Sequence, residues 1–459
     1  MSQTLPPPPG SPPDPSAPPV APGGWSEPRP AAFPAPAAAE SGYLKFRNEM
    51  LAGGASERPE SDDLAGGPRA VIGIVSIVVL LALIGLASPW ALVFVLGLLV
   101  CIFLHEVGHF VTARWTGMKA TQFFLFMGPK LWSFRRGETE YGIRALPLGA
   151  FVRIIGMNNL DEVDPADEPR AYRNKSYPRR MLVICAGSMM HMIIAIALLF
   201  GLYATKGVLE STDRVQITNV RAGDPAAEAG LRADDVILSF DGVTPSDSDE
   251  YVSLVQSRQP GDIVPVVVER DGEVLTFEVG LGANPNSGDV FGKAYMGTGS
   301  GSEYVWTDLS LGSAMTQSVT DLGDAAWQAV GGVVKVLNPV NIFEHLVGSS
   351  DDLTTRPTTV VGVSRYSGFL GDQDGLAGIV ALLAGVNVFV GLINLFPMLP
   401  FDGGHAAIAT YERIRSRKGR PPYRADVGKM VPVAMTMMGL LAFMFLTGLY
   451  LDIVDPIGG

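Results

Sequence analysis

Two histidines four residues apart, His105 and His109, close the run Phe94–Arg114, which reads FVLGLLVCIFLHEVGHFVTAR. A helix of 3.6 residues per turn puts both on one face, with Glu106 adjacent. Two imidazoles and a carboxylate so placed can hold a zinc ion and activate water against it. An ionisable side chain at bilayer depth is costly, roughly 2.5 to 3.5 kcal/mol on insertion scales. Inside an apolar helix of membrane length, the triplet therefore needs a partner, and a metal suits its chemistry.

Zinc needs a third protein ligand and, if catalytic, an open position. The other histidines are His191, His345 and His405. A better match to the geometry is the stretch Asn394–His405, NLFPMLPFDGGH. Its two prolines disrupt a helix and a carboxylate emerges on the side where His105 and His109 lie. Asp402 is the expected ligand, with Gly403 and Gly404 letting backbone approach closely. Cys101 and Cys185 fall within apolar runs, form no disulfide framework, and read as small buried packing rather than alternative ligands.

The elements that must position these groups are membrane helices. Of 459 residues 47% are hydrophobic and only 17% charged, with a mean hydropathy of +0.25, which moves the class from soluble enzyme to membrane protein. The net charge of -12 matters less than its distribution. Apolar spans are expected at 70–87, 91–113, about 181–204, 376–395 and 431–450. Basic residues crowd the loop after the metal helix (Arg114, Lys119, Lys130, Arg135, Arg136) and the last loop (Arg413, Arg415, Arg417, Lys418), so both loops are expected in the cytoplasm. Thr205–Gly375, with roughly 25 acidic against 10 basic residues, is expected outside. Residues 1–69 form a Pro/Ala-rich tail expected to be disordered and cytoplasmic, with a short helix possible only at Tyr43–Leu51 and no cleavable signal peptide.

Between the spans, Lys130–Met157 reads as extended. Segments 140–146 and 151–155, separated by Pro147-Leu148-Gly149, suggest a hairpin. With Phe123–Met127 too apolar for a solvated loop, this forms a small sheet dipping into the inner membrane face. Outside, residues 208–283 alternate strands and short helices: 214–220, a helix from Pro225, 236–240, 248–257, 264–270 and 274–279. Residues 284–375 are a linker carrying an amphipathic helix at 314–347, broken at Gly331-Gly332 and at Asn338-Pro339, which lies either on the membrane or against the α+β unit.

The HEVGH motif, the wording PAAEAGLRADDVILSFDGV, the segment GETEYGIRALPLGAFVRIIGM and the later NLFPMLPFDGGH together resemble the site-2 proteases, zinc intramembrane metalloproteases, over roughly Ala91–Tyr450. The PAAEAGL stretch resembles a PDZ domain of bacterial membrane proteases. The resemblance implies a multi-pass α-helical membrane protein of about five transmembrane helices, with a membrane-associated β-hairpin and an inserted extracytoplasmic α+β PDZ-like domain. The metalloprotease core occupies 91–204 and 376–450, and 70–87 is an extra helix. It implies Zn2+ held by His105, His109 and Asp402, Glu106 as catalytic base, Asn394 positioning substrate, and Pro397, Gly149 and Phe151 as further substrate contacts. It also implies a plasma-membrane enzyme cleaving a single-span protein, with an anti-sigma factor as candidate substrate, an upstream site-1-type protease, the lipid bilayer as surroundings and no nucleic acid. Clearance of remnant signal peptides is the other family-level role, and a non-catalytic PDZ scaffold with a structural metal the rival class. His191 stands where the family commonly has Asn, and is either a partner of the metal ligands or a core histidine.

Overall fold

In the computed structural model the described residues are 67–157, 161, 163–285, 290–336, 338–347, 355–417, 419 and 421–455. The tail expected to be disordered and the short helix at Tyr43–Leu51 lie outside them. Helix α1 (Pro68–Ala87) is separated from α2 (Pro89–Trp115) by Ser88, whose hydroxyl accepts the Ala91 N–H at 3.2 Å and caps α2. Pro89 opens α2 where its missing N–H costs nothing. Strands β1 (Ala120–Arg136) and β2 (Thr139–Ile154) follow, then α3 (Tyr177–Lys206).

Next come β3 (Val208–Val220), α4 (Pro225–Ala229), β4 (Val236–Phe240), α5 (Ser248–Gln256), β5 (Ile263–Arg270), β6 (Glu273–Gly280), β7 (Gly282–Ala283), β8 (Ala294–Tyr295) and β9 (Thr298–Thr307). Helices α6 (Leu311–Val336), α7 (Pro339–Leu346), α8 (Val360–Asp374), α9 (Leu376–Asn394), α10 (Asp402–Arg415) and α11 (Val431–Val454) complete the chain. Among the described residues five helices are long and apolar enough to cross a membrane: Ala70–Ala87, Pro89–Trp115, Tyr177–Lys206, Leu376–Asn394 and Val427–Val454. These are the spans expected from the sequence.

The hairpin differs from its expectation. Segments 140–146 and 151–155 do not pair with each other; up to Ile154 both belong to β2, and the tight turn lies at Gly137-Glu138. Pro147 and Gly149, the latter at φ 114°, bend β2 instead of ending it. Phe123, Phe124 and Leu125 are therefore flanked on one side by Tyr141–Ile143 and on the other by Ala150–Val152. The apolar run that is too greasy for a loop is thus the centre of the sheet, with Phe124 fully buried. β1 bends as well, at Phe126 (φ 71°) and Gly128 (φ 80°), and its second half pairs with Thr139–Arg144.

The α+β unit holds a five-stranded sheet in the order β6-β5-β4-β3-β9, so its edge strand comes from beyond the 208–283 range expected for it. Ile217, Phe240, Tyr251, Val266 and Val268 fill its core. Helix α6 runs unbroken through Gly331-Gly332, where a break was expected. A glycine costs about 1 kcal/mol in a helix, which packing of α6 against α3 and α9 overrides. The break at Asn338-Pro339 is present, with Asn338 capping α7.

Helix α8 was not anticipated within the 284–375 linker. Its glycines Gly368 and Gly371 sit against Ser88 and Trp90 at the start of α2. Its N-terminus is held from α11: the buried Asp452 carboxylate accepts the Thr359 N–H at 2.9 Å, the Thr359 hydroxyl at 2.7 Å and the Gly362 N–H at 3.0 Å. Helix α8 thereby ties the helix bearing His105 to the last span.

Candidate metal centre

His105 and His109 lie on the buried face of α2. Asp402 is in the first turn of α10. The loop between α9 and α10, Leu395–Phe401, folds back so tightly that a Cβ on Gly403 would lie 2.2 Å from the Leu395 carbonyl oxygen, and one on Gly404 2.5 Å from the Leu399 nitrogen. The two glycines are what allow the carboxylate to turn inward after the prolines.

His105 Nε2 and His109 Nε2 are 3.1 Å apart. Asp402 Oδ2 is 3.4 Å from the first and 3.2 Å from the second. Ligands bonded to zinc at about 2.0 to 2.2 Å in a tetrahedron stand about 3.3 to 3.6 Å apart, so this triangle is close to one tetrahedral face. His109 Nδ1 donates to the Val183 carbonyl at 2.7 Å, which leaves the Nε2 of the neutral ring as a lone pair. That lone pair faces a carboxylate oxygen, an arrangement a shared cation reconciles. The residues fit zinc. Among the described residues these three form the grouping of metal-ligating atoms, and neither cysteine joins it. Cys101 Sγ instead accepts from Asn387 Nδ2 at 3.2 Å.

Glu106 Oε1 is 3.9 Å from His105 Nε2. Its carboxylate is also within electrostatic reach of the Val152 backbone N–H. Ala150–Ile154 pairs with β1 along one side only, so the other edge of this segment runs beside Glu106. Phe151 is in that segment, but its ring is buried, stacked on Phe124 at 5.6 Å with the Arg144 guanidinium 5.0 Å above it. What Phe151 presents outward is backbone. Gly149 lies at the bend just before it. Asn394 is the half-buried last residue of α9 and makes no side-chain hydrogen bond among the described residues, and Pro397 is exposed in the following loop.

Several contacts had no signal in the motifs. A Cβ on Gly187 of α3 would lie 2.4 Å from both His105 Cε1 and His109 Nε2, and one on Gly108 2.8 Å from the Ala186 carbonyl oxygen. The two helices thus meet backbone to backbone right beside the Nε2 atoms of His105 and His109, and paired small residues on facing spans are the pattern that could have revealed it. His191 is buried, its Nδ1 2.7 Å from Asn387 Oδ1 and its ring 4.9 Å from that of His105. It is a neighbour of His105 and lies outside the His105–His109–Asp402 grouping.

Helix α10 is fixed to α3 by a buried ion pair, Arg180 Nη2 to Glu412 Oε2 at 2.8 Å, with the guanidinium 4.8 Å over the Tyr172 ring. Glu412 Oε1 also accepts the Ala425 N–H at 2.9 Å. Glu412→Ala leaves Arg180 buried without its counter-charge, and such a break destabilises by about 3 to 5 kcal/mol. The expected result is a lower unfolding midpoint in detergent; a midpoint within about 1 °C of the parent would contradict it.

Residues 93–439 match peptidase family M50. The chain is 33% identical over 393 residues to the zinc metalloprotease Rip1 of Mycobacterium tuberculosis, covering 79% of this chain and 97% of that protein. It is 31% identical over 395 residues to the zinc metalloprotease Rip1 of Mycolicibacterium smegmatis, with coverage of 79% and 97%. Among solved structures, the PDZ domain of an SdrC-like protein from Listeria monocytogenes is 25% identical, covering 19% of this chain and 88% of that chain, with a TM-score of 0.17.

Proposed function

This chain belongs to peptidase family M50, the site-2 proteases, and is a zinc metalloprotease in a multi-pass membrane protein; we propose that it cleaves single-span membrane proteins inside the bilayer, near the cytoplasmic face. The observation that carries this reading is the position of Glu106. It stands beside the His105–His109–Asp402 triangle and close to Val152 on the unpaired edge of β2.

Bound zinc supplies a Lewis acid that polarises a peptide carbonyl and lowers the pKa of water. Glu106 takes the proton from the attacking water and returns it to the leaving nitrogen. A substrate helix hides its carbonyls in its own hydrogen bonds and has to unwind before attack. The outer edge of Ala150–Ile154 offers backbone donors and acceptors to the unwound strand, replacing bonds that the bilayer does not supply. Asn394, whose amide makes no hydrogen bond among the described residues, holds the substrate backbone, and Gly149 and Pro397 border the path. Phe151 contributes through its main chain.

Loop charge supports placing the β1–β2 hairpin and α10 on the cytoplasmic side and the α+β unit, as a PDZ-like filter, outside. The substrate is then a stump already trimmed by an outer, site-1-type protease, with a membrane-anchored anti-sigma factor as the candidate in a signalling cascade. A metal-binding scaffold without catalysis is set aside, since the family is one of zinc metalloproteases. The test is reconstitution with a single-span substrate and mass-spectrometric mapping of the cut. Scission within the inner half of the transmembrane segment is expected. Cuts confined to soluble loops would contradict intramembrane cleavage.

A further inference from the structure

The tip of the β1–β2 hairpin carries a surface that the proteolytic reading does not use. Trp132 is 51% exposed and Phe134 46%, with ring centroids 5.2 Å apart. Arg135 and Arg136 follow directly, both exposed. The carboxylates nearest in the hairpin are already engaged: Glu140 by Lys130 at 3.0 Å and Ser133 at 2.7 Å, and Glu138 by both guanidinium nitrogens of Arg170 at 2.7 Å. The patch is therefore aromatic and positively charged together.

Its depth can be read from its neighbours. Leu131 is buried against α1, where a Cβ on Gly73 would come within 2.6 Å of it. Gly73 lies five residues into Pro68–Ala87, about 7 Å along the axis from the polar end of that span at 1.5 Å per residue. From Leu131 the strand advances about 3.3 Å per residue toward a turn held by Arg170, in the polar segment before Tyr177–Lys206. Trp132 and Phe134 thus fall at the apolar–polar boundary, where amphipathic rings settle, and Arg135 and Arg136 just beyond it. Trp115, the last residue of α2, is likewise exposed, at 78%.

We propose that the hairpin tip, Trp132 to Arg136, is a binding surface for anionic phospholipid headgroups that sets the depth of the membrane sheet. The surface is continuous with the lipid-facing spans, and its charge complements an anionic leaflet. Because Leu131 and Ala150–Ile154 belong to one sheet, headgroup capture at the tip holds the open edge level with Glu106. This inference rests on the proteolytic reading, but part of its test does not.

The experiment compares the full chain with an Arg135→Gln/Arg136→Gln variant in vesicles of phosphatidylcholine alone and of phosphatidylcholine with phosphatidylglycerol. Cleavage of a single-span substrate by the parent is expected to rise with the anionic lipid, up to about fivefold for each guanidinium engaged. The variant should match the parent in phosphatidylcholine and lose the rise. An undiminished response in the variant, or none in the parent, would overturn the proposal. So would an equal loss by the variant in phosphatidylcholine alone, which would mean that the patch reads the substrate's flank. Should the parent cleave nothing in either vesicle, the proteolytic reading fails instead. Crosslinking from a photoreactive phosphatidylglycerol then decides the lipid proposal: labelling of the hairpin tip that the double substitution removes sustains it, and labelling equal in both chains ends it.

Discussion

Glu106→Gln is expected to keep zinc at the parent stoichiometry while lowering cleavage of a transmembrane substrate by about 10²- to 10⁴-fold, the range a general base contributes. Glutamine keeps the size and shape of the side chain, and its carbonyl oxygen can still face the Val152 N–H. What it lacks is the capacity to take a proton from water. Glu106 Oε1 is 3.9 Å from His105 Nε2 and is not one of the three ligand atoms, so metal binding should be untouched. The check is metal analysis and initial rates on the same preparation. Cleavage within about tenfold of the parent would remove Glu106 from the role of base, and loss of zinc would make it a ligand instead.

The second large effect is predicted for a residue with no reactive group. Gly187→Ala introduces a methyl whose position lies 2.4 Å from His105 Cε1, 2.4 Å from His109 Nε2 and 2.6 Å from His105 Nε2. Contacts this short are not tolerated, so something has to move. The helices cannot close elsewhere to compensate, because Gly108 already packs against the Ala186 carbonyl. Either the imidazoles swing away from Asp402 or α3 retreats from α2, taking with it the Val183 carbonyl that orients His109. Loss of such supporting contacts typically weakens metal affinity by about 10- to 100-fold. The variant should therefore lose zinc on dialysis against a weak chelator and lose cleavage with it. Ser188→Ala is the control: its hydroxyl is buried with no hydrogen-bond partner among the described residues, so its removal should leave both unchanged. Full zinc and full rate in Gly187→Ala would show that the helix contact is not what holds the ligands in place.

The centre was legible in the sequence to the extent that local periodicity governs it. His105, Glu106 and His109 are set by the pitch of one helix, and Asp402 follows from expecting the end of the fourth span at their level, where the structure groups it with the two histidines. What escaped depends on contacts between elements distant in the chain. The hairpin was misplaced because Pro147 and Gly149 resemble a turn, whereas long-range pairing with Phe123–Leu125 makes them a bend within one strand. Helix α8 was missed because a segment rich in glycine and serine has poor intrinsic helicity. Those same small residues admit Ser88 and Trp90 at close range, and Asp452 anchors its start from ninety residues away. Gly331-Gly332 failed to interrupt α6 for a related reason, since packing on two spans outweighs propensity. Phe151 was picked out as a substrate contact, yet its ring is committed to Phe124 and Arg144.

The most direct test of the metal centre is zinc-edge X-ray absorption on the full chain in parallel with its Asp402→Ala variant. The parent should show only nitrogen and oxygen neighbours at about 2.0 to 2.2 Å with the multiple scattering of two imidazoles, and the variant one oxygen fewer or no stable zinc. A sulfur neighbour at about 2.3 Å, or an identical spectrum from the Asp402→Ala variant, would contradict a cation held by His105, His109 and Asp402.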